Sequence, residues 1–211
     1  MPGKLHHETL YRGDDLLGRL AATHVVICGA GAVGSNVTEH LARIGARTIS
    51  VIDDDRVEEH NLSTQLYGES DIGLFKVEAL RNHCFRAVGC ELQPIRKRLD
   101  SASAPKLLKE ADLIIDGFDN AASRRAVQDA VRKLDKPCLH VGLAADYAEA
   151  IWDTQYRVPS DVPGDVCDYP LARTIVALAA AVACDLVLRF LEDGRQENWS
   201  ITLRDFAIRP M

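Results

Sequence analysis

Two periodicities alternate along the 211-residue chain. "THVVICG" (23–29) is a short β-branched run that closes on glycine, the pattern of a buried strand. "AVGSNVTEHLARIGA" (32–46) brings Val33, Val37, Leu41 and Ile44 round at helical spacing, and Gly45 supplies the stop. "RTISVID" (47–53) is a second strand, "FKVEALRNHCFRAV" (75–88) a helix, "LQPIRKRL" (92–99) a strand and "SAPKLLKEA" (103–111) a helix. "DLIIDGF" (112–118), "NAASRRAVQDAVRKLD" (120–135) and "PCLHVGL" (137–143) continue the alternation as strand, helix, strand. Such a series predicts an α/β fold with a doubly wound, mostly parallel sheet. "AEAIWDTQYRV" (148–158) and "WSITLRDFAI" (199–208), one strand each, predict an antiparallel C-terminal flank.

The most apolar stretch, "LARTIVALAAAVACDLVLRFL" (171–191), is interrupted by Arg173, Asp185 and Arg189. Its clean run falls short of the ~20 apolar residues of a membrane helix, so a buried helix is expected. The N-terminal "MPGKLHHETL" lacks the apolar core of a secretory signal. No repeat or Gly/Ser/Pro-rich linker divides the chain, which predicts one domain over residues 1–211. A formal net charge of −6 argues against a nucleic-acid backbone as the main partner. "IRKRL" (95–99) reads as an exposed strand face. The cysteines, Cys28, Cys84, Cys90, Cys138, Cys167 and Cys184, form no C-x-x-C pair, which points away from disulfides and structural zinc and toward a reducing cytoplasmic setting.

Chemistry enters at residue 29. Gly29, Gly31 and Gly34 make G-x-G-x-x-G between a predicted strand and helix, giving a tight turn, a close backbone approach to phosphate and close helix packing. The helix N-terminus that follows offers free N–H groups to an anion. Asp53 closes the second strand, placed to accept from ribose hydroxyls. NAD, FAD and ATP fit this Rossmann-like unit equally.

The stretch after it, "DDRVEEHNLSTQLYGESDIGLFK" (54–76), separates them. A dehydrogenase has no use for Asn61, Gln65 and Lys76 in this order, whereas neutral amides and one ammonium suit a triphosphate whose charge shifts as pyrophosphate departs. Asp116 and Asp119 in "IIDGFDN" add carboxylates of the kind that hold Mg²⁺ on phosphates. Together, Gly29 to Gly34, Asp53 to Val57, Asn61 to Gln65, Gly73 to Lys76 and Asp116 to Asn120 resemble the ThiF/MoeB/HesA adenylating family, which includes the core of ubiquitin-activating enzymes.

The resemblance implies ATP- and Mg²⁺-dependent adenylation of the C-terminal glycine of a small ubiquitin-like or sulfur-carrier protein, by a homodimer. Carried over by position, Asp53 and Asp55 lie at the nucleotide, with Asp53 on the ribose. Asn61, Gln65 and Lys76 contact phosphates, and Asp119 holds Mg²⁺. Cys167 stands where family members often carry a cysteine that accepts the activated acyl group. Each residue also has a plainer use: Asn61 or Asp119 as a helix cap, Gln65 and Lys76 as solvated side chains, Cys167 as packing. Cys138, Cys184 and His140 read as interior residues.

The sequence departs from the family in two places. Thr64 occupies the position of arginine in the usual Asn-Leu-Asn-Arg-Gln, and a hydroxyl supplies neither the charge nor the fork of a guanidinium. The N-terminal Arg12 and Arg19 match the family's usual segment poorly. Arg124 and Arg125 are weak candidate replacements, since helix-surface arginine is their default. Two other readings follow: a degenerate subunit that binds a ubiquitin-like protein or an active partner, and an NAD(P)-dependent oxidoreductase. Within the enzyme class, a peptide or a tRNA base could replace the protein carboxylate.

Overall fold

The computed structural model describes residues 2–160 and 170–211. Its centre is an eight-stranded sheet with the strands in the order 3-2-1-4-5-6-7-8. In chain order the elements begin with α1 (His6–Arg12), α2 (Asp14–Ala22), β1 (His24–Cys28), α3 (Ala32–Ile44), β2 (Thr48–Ile52), α4 (Lys76–Val88) and β3 (Gln93–Ile95). They continue with α5 (Ala104–Leu108), β4 (Leu113–Asp116), α6 (Ala121–Leu134), β5 (Cys138–Ala144), β6 (Tyr147–Trp152), α7 (Arg173–Asp193), β7 (Trp199–Thr202) and β8 (Ala207–Pro210). Strands 1 to 5 pair in parallel, and the last three add antiparallel. This is the doubly wound sheet and antiparallel flank that the alternation predicts.

Period-two alternation divides the core. Val25 and Ile27 of β1, Leu113 and Ile115 of β4, and Leu139 and Val141 of β5 belong to the larger apolar cluster, shared with α3 and α7. Val26, Cys28, Ile114 and Cys138 face the other way, against α5 and α6. Both faces are covered, which is why the central strands are apolar at nearly every position. Helix α7 is long and apolar enough to cross a membrane by length and composition, but half of its most apolar window is buried in the fold. It packs against α2, α3, β5 and β6.

Several boundaries differ from the sequence reading. The run 199–208 is two strands, because Arg204 and Asp205 interrupt its apolar pattern. Asp205 accepts a bond from the Thr202 hydroxyl, and Phe206 adopts φ 51° to turn the chain back. The predicted strand 92–99 keeps only Gln93–Ile95, so "IRKRL" is no strand face: Arg96 leaves the sheet to lie over the Phe75 ring, and Leu99 is buried. Strand 148–158 stops at Trp152, where a turn begins.

The segment "HHETLYRGDDLLGRLAA" forms two helices beyond those the sequence predicts, although Gly13 with Asp14 and Asp15 behind it is a helix start. Leu16, Leu17 and Leu20 bury α2. Arg12 bonds Asp185, and Arg19 bonds the carbonyls of Leu191 and Glu192 at the end of α7. Both arginines are thereby committed to α7.

Candidate functional site

The strand order reverses between β1 and β4, and ligands of open α/β sheets bind beyond the carboxyl ends at such a point. Here two glycine turns meet. Gly29 follows β1 with φ 93°, a conformation that disfavours any side chain. A Cβ on Gly29 would lie 3.4 Å from the Gly117 carbonyl, and one on Gly34 would lie 1.8 Å from the Gly29 oxygen. Gly31 is different: a Cβ there would meet nothing within 4 Å. Gly29 is required by its backbone conformation and Gly34 by packing, and the middle one fronts open space at the start of α3.

Asp53 holds this loop in shape. Its Oδ2 accepts from the Ala30 amide at 2.7 Å and its Oδ1 from the Asp55 amide at 2.8 Å. Tyr67 donates to the Ala30 carbonyl at 2.6 Å. Burial raises the Asp53 pKa, opposed by Lys76 and the two amides. The sequence reading gave Asp53 to ribose alone; the structure adds a framework role that no local pattern signals, because its partner is 23 residues upstream.

The residues assigned to phosphate come to the same end of the sheet with different attachments. Lys76 is buried at the start of α4, and its Nζ lies 3.0 Å from Asp55 Oδ2. Asn61 is buried and its Oδ1 accepts the Glu58 amide at 2.9 Å, the plainer capping use. Gln65 is half-buried, and its Oε1 is buried without a hydrogen-bond partner among the described residues. An orphaned acceptor costs about 1–3 kcal/mol, so a ligand donor there would be stabilising.

Beyond β4 the two carboxylates part company. Asp116 is wholly buried, accepting from the Phe118 amide at 3.1 Å and facing His140 Nδ1 at 2.8 Å and Arg124 at 3.7 Å. Burial opposes its charge, and Arg124 and His140 outweigh burial to hold the carboxyl below its ordinary range. So engaged, Asp116 does not fit a metal ligand. Asp119 is exposed, so its carboxylate is open to a cation from solvent. The helix cap is Asn120 rather than Asp119: its side chain accepts the Ser123 amide at 2.9 Å. Replacing Asn120 with alanine is expected to cost about 1 kcal/mol in urea unfolding; an unchanged midpoint would show the cap to be inert.

Arg124 is not a surface residue. It is buried, donating to Tyr156 Oη at 3.0 Å and the Val141 carbonyl at 2.8 Å, whereas Arg125 is exposed. His140 is interior as expected, and the carboxylates on either side of it favour its charged form. Its Nε2 lies 3.2 Å from Asp153, and Tyr156 stacks on its ring at 3.8 Å. Cys28, Cys84, Cys90, Cys138 and Cys184 are free and buried, and burial pushes their thiols up, which makes them poor nucleophiles. Cys138 and Cys184 are thus core, as read. Cys167 lies outside the described residues.

The sequence matches the ThiF family over residues 7–200. It is 30% identical over 131 residues to the SAMP-activating enzyme E1 of Haloferax volcanii, spanning 61% of this chain and 48% of that protein. It is 34% identical over 122 residues to the adenylyltransferase and sulfurtransferase uba4 of Aspergillus fumigatus, spanning 56% of this chain and 24% of that protein. The chain therefore matches about half, or less, of these relatives' length. The crystal structure of E. coli MccB with ATP superimposes with a TM-score of 0.82 at 20% identity, covering 99% of this chain and 71% of that one. The match over nearly the whole sequence agrees with a glycine turn fixed at both ends, by conformation at Gly29 and packing at Gly34, and open in its middle: the chain belongs to the ThiF family.

Proposed function

We propose that the chain binds ATP at the carboxyl ends of β1, β2 and β4 and adenylates the C-terminal carboxylate of a small ubiquitin-like or sulfur-carrier protein. One observation carries the nucleotide assignment: Gly31 fronts open space, while Gly29 is fixed as glycine by its conformation and Gly34 by packing. A turn built for packing alone needs no bare backbone in its middle. The substrate class is supported by the relatives, whose names include a SAMP-activating enzyme and an adenylyltransferase.

In this reading a carboxylate oxygen of the carrier bonds to the α-phosphorus of ATP, the α–β bridging bond breaks, and pyrophosphate leaves. The backbone of Gly31 and the first turn of α3 bind phosphate oxygens. Asp53, besides shaping the loop, offers its remaining lone pairs to the ribose. Lys76 borders the phosphates, Gln65 would meet them through its amide Nε2 because its buried Oε1 is an acceptor, and Asp119 would hold Mg²⁺, which would neutralise phosphate charge.

The test is isotope exchange between pyrophosphate and ATP, with Mg²⁺ and a panel of carriers ending in glycine. Exchange is expected to require a carrier and to fall to about a tenth or less in Asp119→Ala, since disturbing a metal's surroundings costs about 10–100-fold. Exchange indifferent to Asp119 overturns the metal assignment. A second reading, the non-catalytic partner subunit, is favoured by Thr64 being uncharged and Lys76 being paired with Asp55. It predicts ATP binding without exchange, restored by an active partner. NAD binding in place of ATP would leave the oxidoreductase.

A further inference from the structure

The nucleotide end of the sheet is short of free positive charge. Oxygens of Asp53, Asp54 and Asp55 lie within 4.8 Å of one another, and Asp119 stands exposed beyond β4. Bound ATP brings more negative charge to the same place. Lys76 is occupied by Asp55 and Arg124 by Asp116 and Tyr156, while Arg125 points from α6 to solvent. Arg56 donates to the Gly73 carbonyl and lies 3.9 Å over the Phe75 ring.

Arg173 is held in another way. It opens α7, and its Nη1 donates to Asn36 Oδ1 at 2.8 Å and to the Thr64 carbonyl at 3.2 Å. Asn36 Nδ2 in turn donates to the Ala32 carbonyl at 2.8 Å and to the same Thr64 carbonyl at 3.2 Å. Ala32 is the first residue of α3, and Thr64 adjoins Gln65 with its orphaned Oε1. Serine 35 ties the segments further, as Ser35 Oγ accepts the Leu66 amide at 3.1 Å. The guanidinium is therefore fixed beside the helix that receives the phosphates. Its anchors are an amide oxygen and a backbone carbonyl, which orient it without cancelling its charge. Among the described residues it meets no carboxylate within ion-pair distance, and Nη1 is the only nitrogen of the fork that is bonded.

We propose that Arg173 is the cation that meets the β- and γ-phosphates of the bound nucleotide. The inference rests on the adenylation reading. A guanidinium keeps its charge when partly dehydrated and can present two parallel N–H groups to phosphate oxygens. Held in advance, it also stabilises the charge that moves onto departing pyrophosphate, so it acts on turnover as well as on binding.

The experiment is calorimetric titration of the full chain with ATP, ADP and AMP in Mg²⁺, for the unsubstituted protein, Arg173→Ala and Arg173→Lys. Affinity for ATP and ADP is expected to fall at least about tenfold in Arg173→Ala, AMP affinity to stay unchanged, and Arg173→Lys to recover part of the loss. A residue that merely ties α7 to α3 would weaken all three ligands alike or none, and either result overturns the inference while leaving adenylation standing. Absence of ATP binding by the unsubstituted protein overturns both. If Arg173→Ala does not fold, the order ATP, ADP, AMP is read from Arg173→Lys, where selective weakening of the first two supports the role and uniform affinity refutes it.

Discussion

Replacing His140 with alanine is expected to destabilise the folded chain by about 3–5 kcal/mol, the usual consequence of removing one partner from a buried ionic group. His140 lies between Asp116 at 2.8 Å and Asp153 at 3.2 Å, with no exposed surface on its side chain. Arg132 and Gln128 complete the shell of Asp153, and Arg124 that of Asp116. Without the imidazolium, Asp116 keeps only Arg124 at 3.7 Å to balance its charge. His140→Gln, which keeps a donor but loses the charge, is expected to recover little. Urea unfolding midpoints at constant slope measure both variants; a loss below about 1 kcal/mol for alanine would show that the network contributes little.

The same group sets a pH dependence. Burial disfavours the imidazolium, but the bonds to the Asp116 and Asp153 carboxylates hold the proton, pushing the pKa from 6.5 up to about 12. Above pH 6.5 the unfolded chain releases a proton that the folded chain keeps. The His140 contribution is therefore complete below pH 6.5 and is lost as pH rises toward 12, by up to about 1.4 kcal/mol per pH unit. Asp153, lowered from 3.8 to about 2, works in the opposite sense, its contribution present above 3.8 and lost as pH falls through 2. Unfolding at pH 6 and pH 8.5 should show the gap between the native protein and His140→Gln narrowing at the higher pH. A gap that stays constant would mean that the folded histidine is neutral.

What was legible in the sequence was what periodicity and neighbouring residues encode. The five parallel strands and α3, α4, α6 and α7 follow from runs whose spacing matches one face of the core. The glycine turn was legible because strand, turn and helix are contiguous. What escaped depends on residues far apart. Asp116, His140 and Asp153 meet only because β4 pairs with β5 and the chain turns after β6. Arg124 and Gln128 lie one turn apart on α6, and their polar character reads as a surface stripe until Asp116 and Asp153 are known to lie beneath them. Arg173 reaches Thr64 across 109 residues, and no spacing rule anticipates it. Of the N-terminal helices, α1 buries no residue and leaves no stripe to read, whereas α2 carries a readable one in Leu16, Leu17 and Leu20.

Gly34→Ala and Gly31→Ala are expected to separate packing from ligand approach within one loop. A methyl on Gly34 would lie 1.8 Å from the Gly29 oxygen and 2.9 Å from its carbonyl carbon. Both are backbone atoms, so no rotamer change relieves the clash, and β1 and α3 must move apart. The expected cost is at least about 3 kcal/mol, the upper end for overpacking, with ATP binding lost alongside stability. Gly31→Ala meets no atom within 4 Å and is not in a left-handed conformation, so stability should fall by less than about 1 kcal/mol. Its methyl would instead occupy the space through which phosphate reaches the backbone, lowering ATP affinity at least about tenfold. Thermal unfolding and ATP titration of the two variants thus give opposite patterns: one protein that folds poorly, and one that folds well and binds poorly. If Gly31→Ala binds ATP as the native chain does, the nucleotide lies elsewhere and the open middle of the turn has no bearing on activity. If it folds normally and fails to bind, the bare backbone at residue 31 is a requirement of the ligand, because neither packing nor conformation demands it.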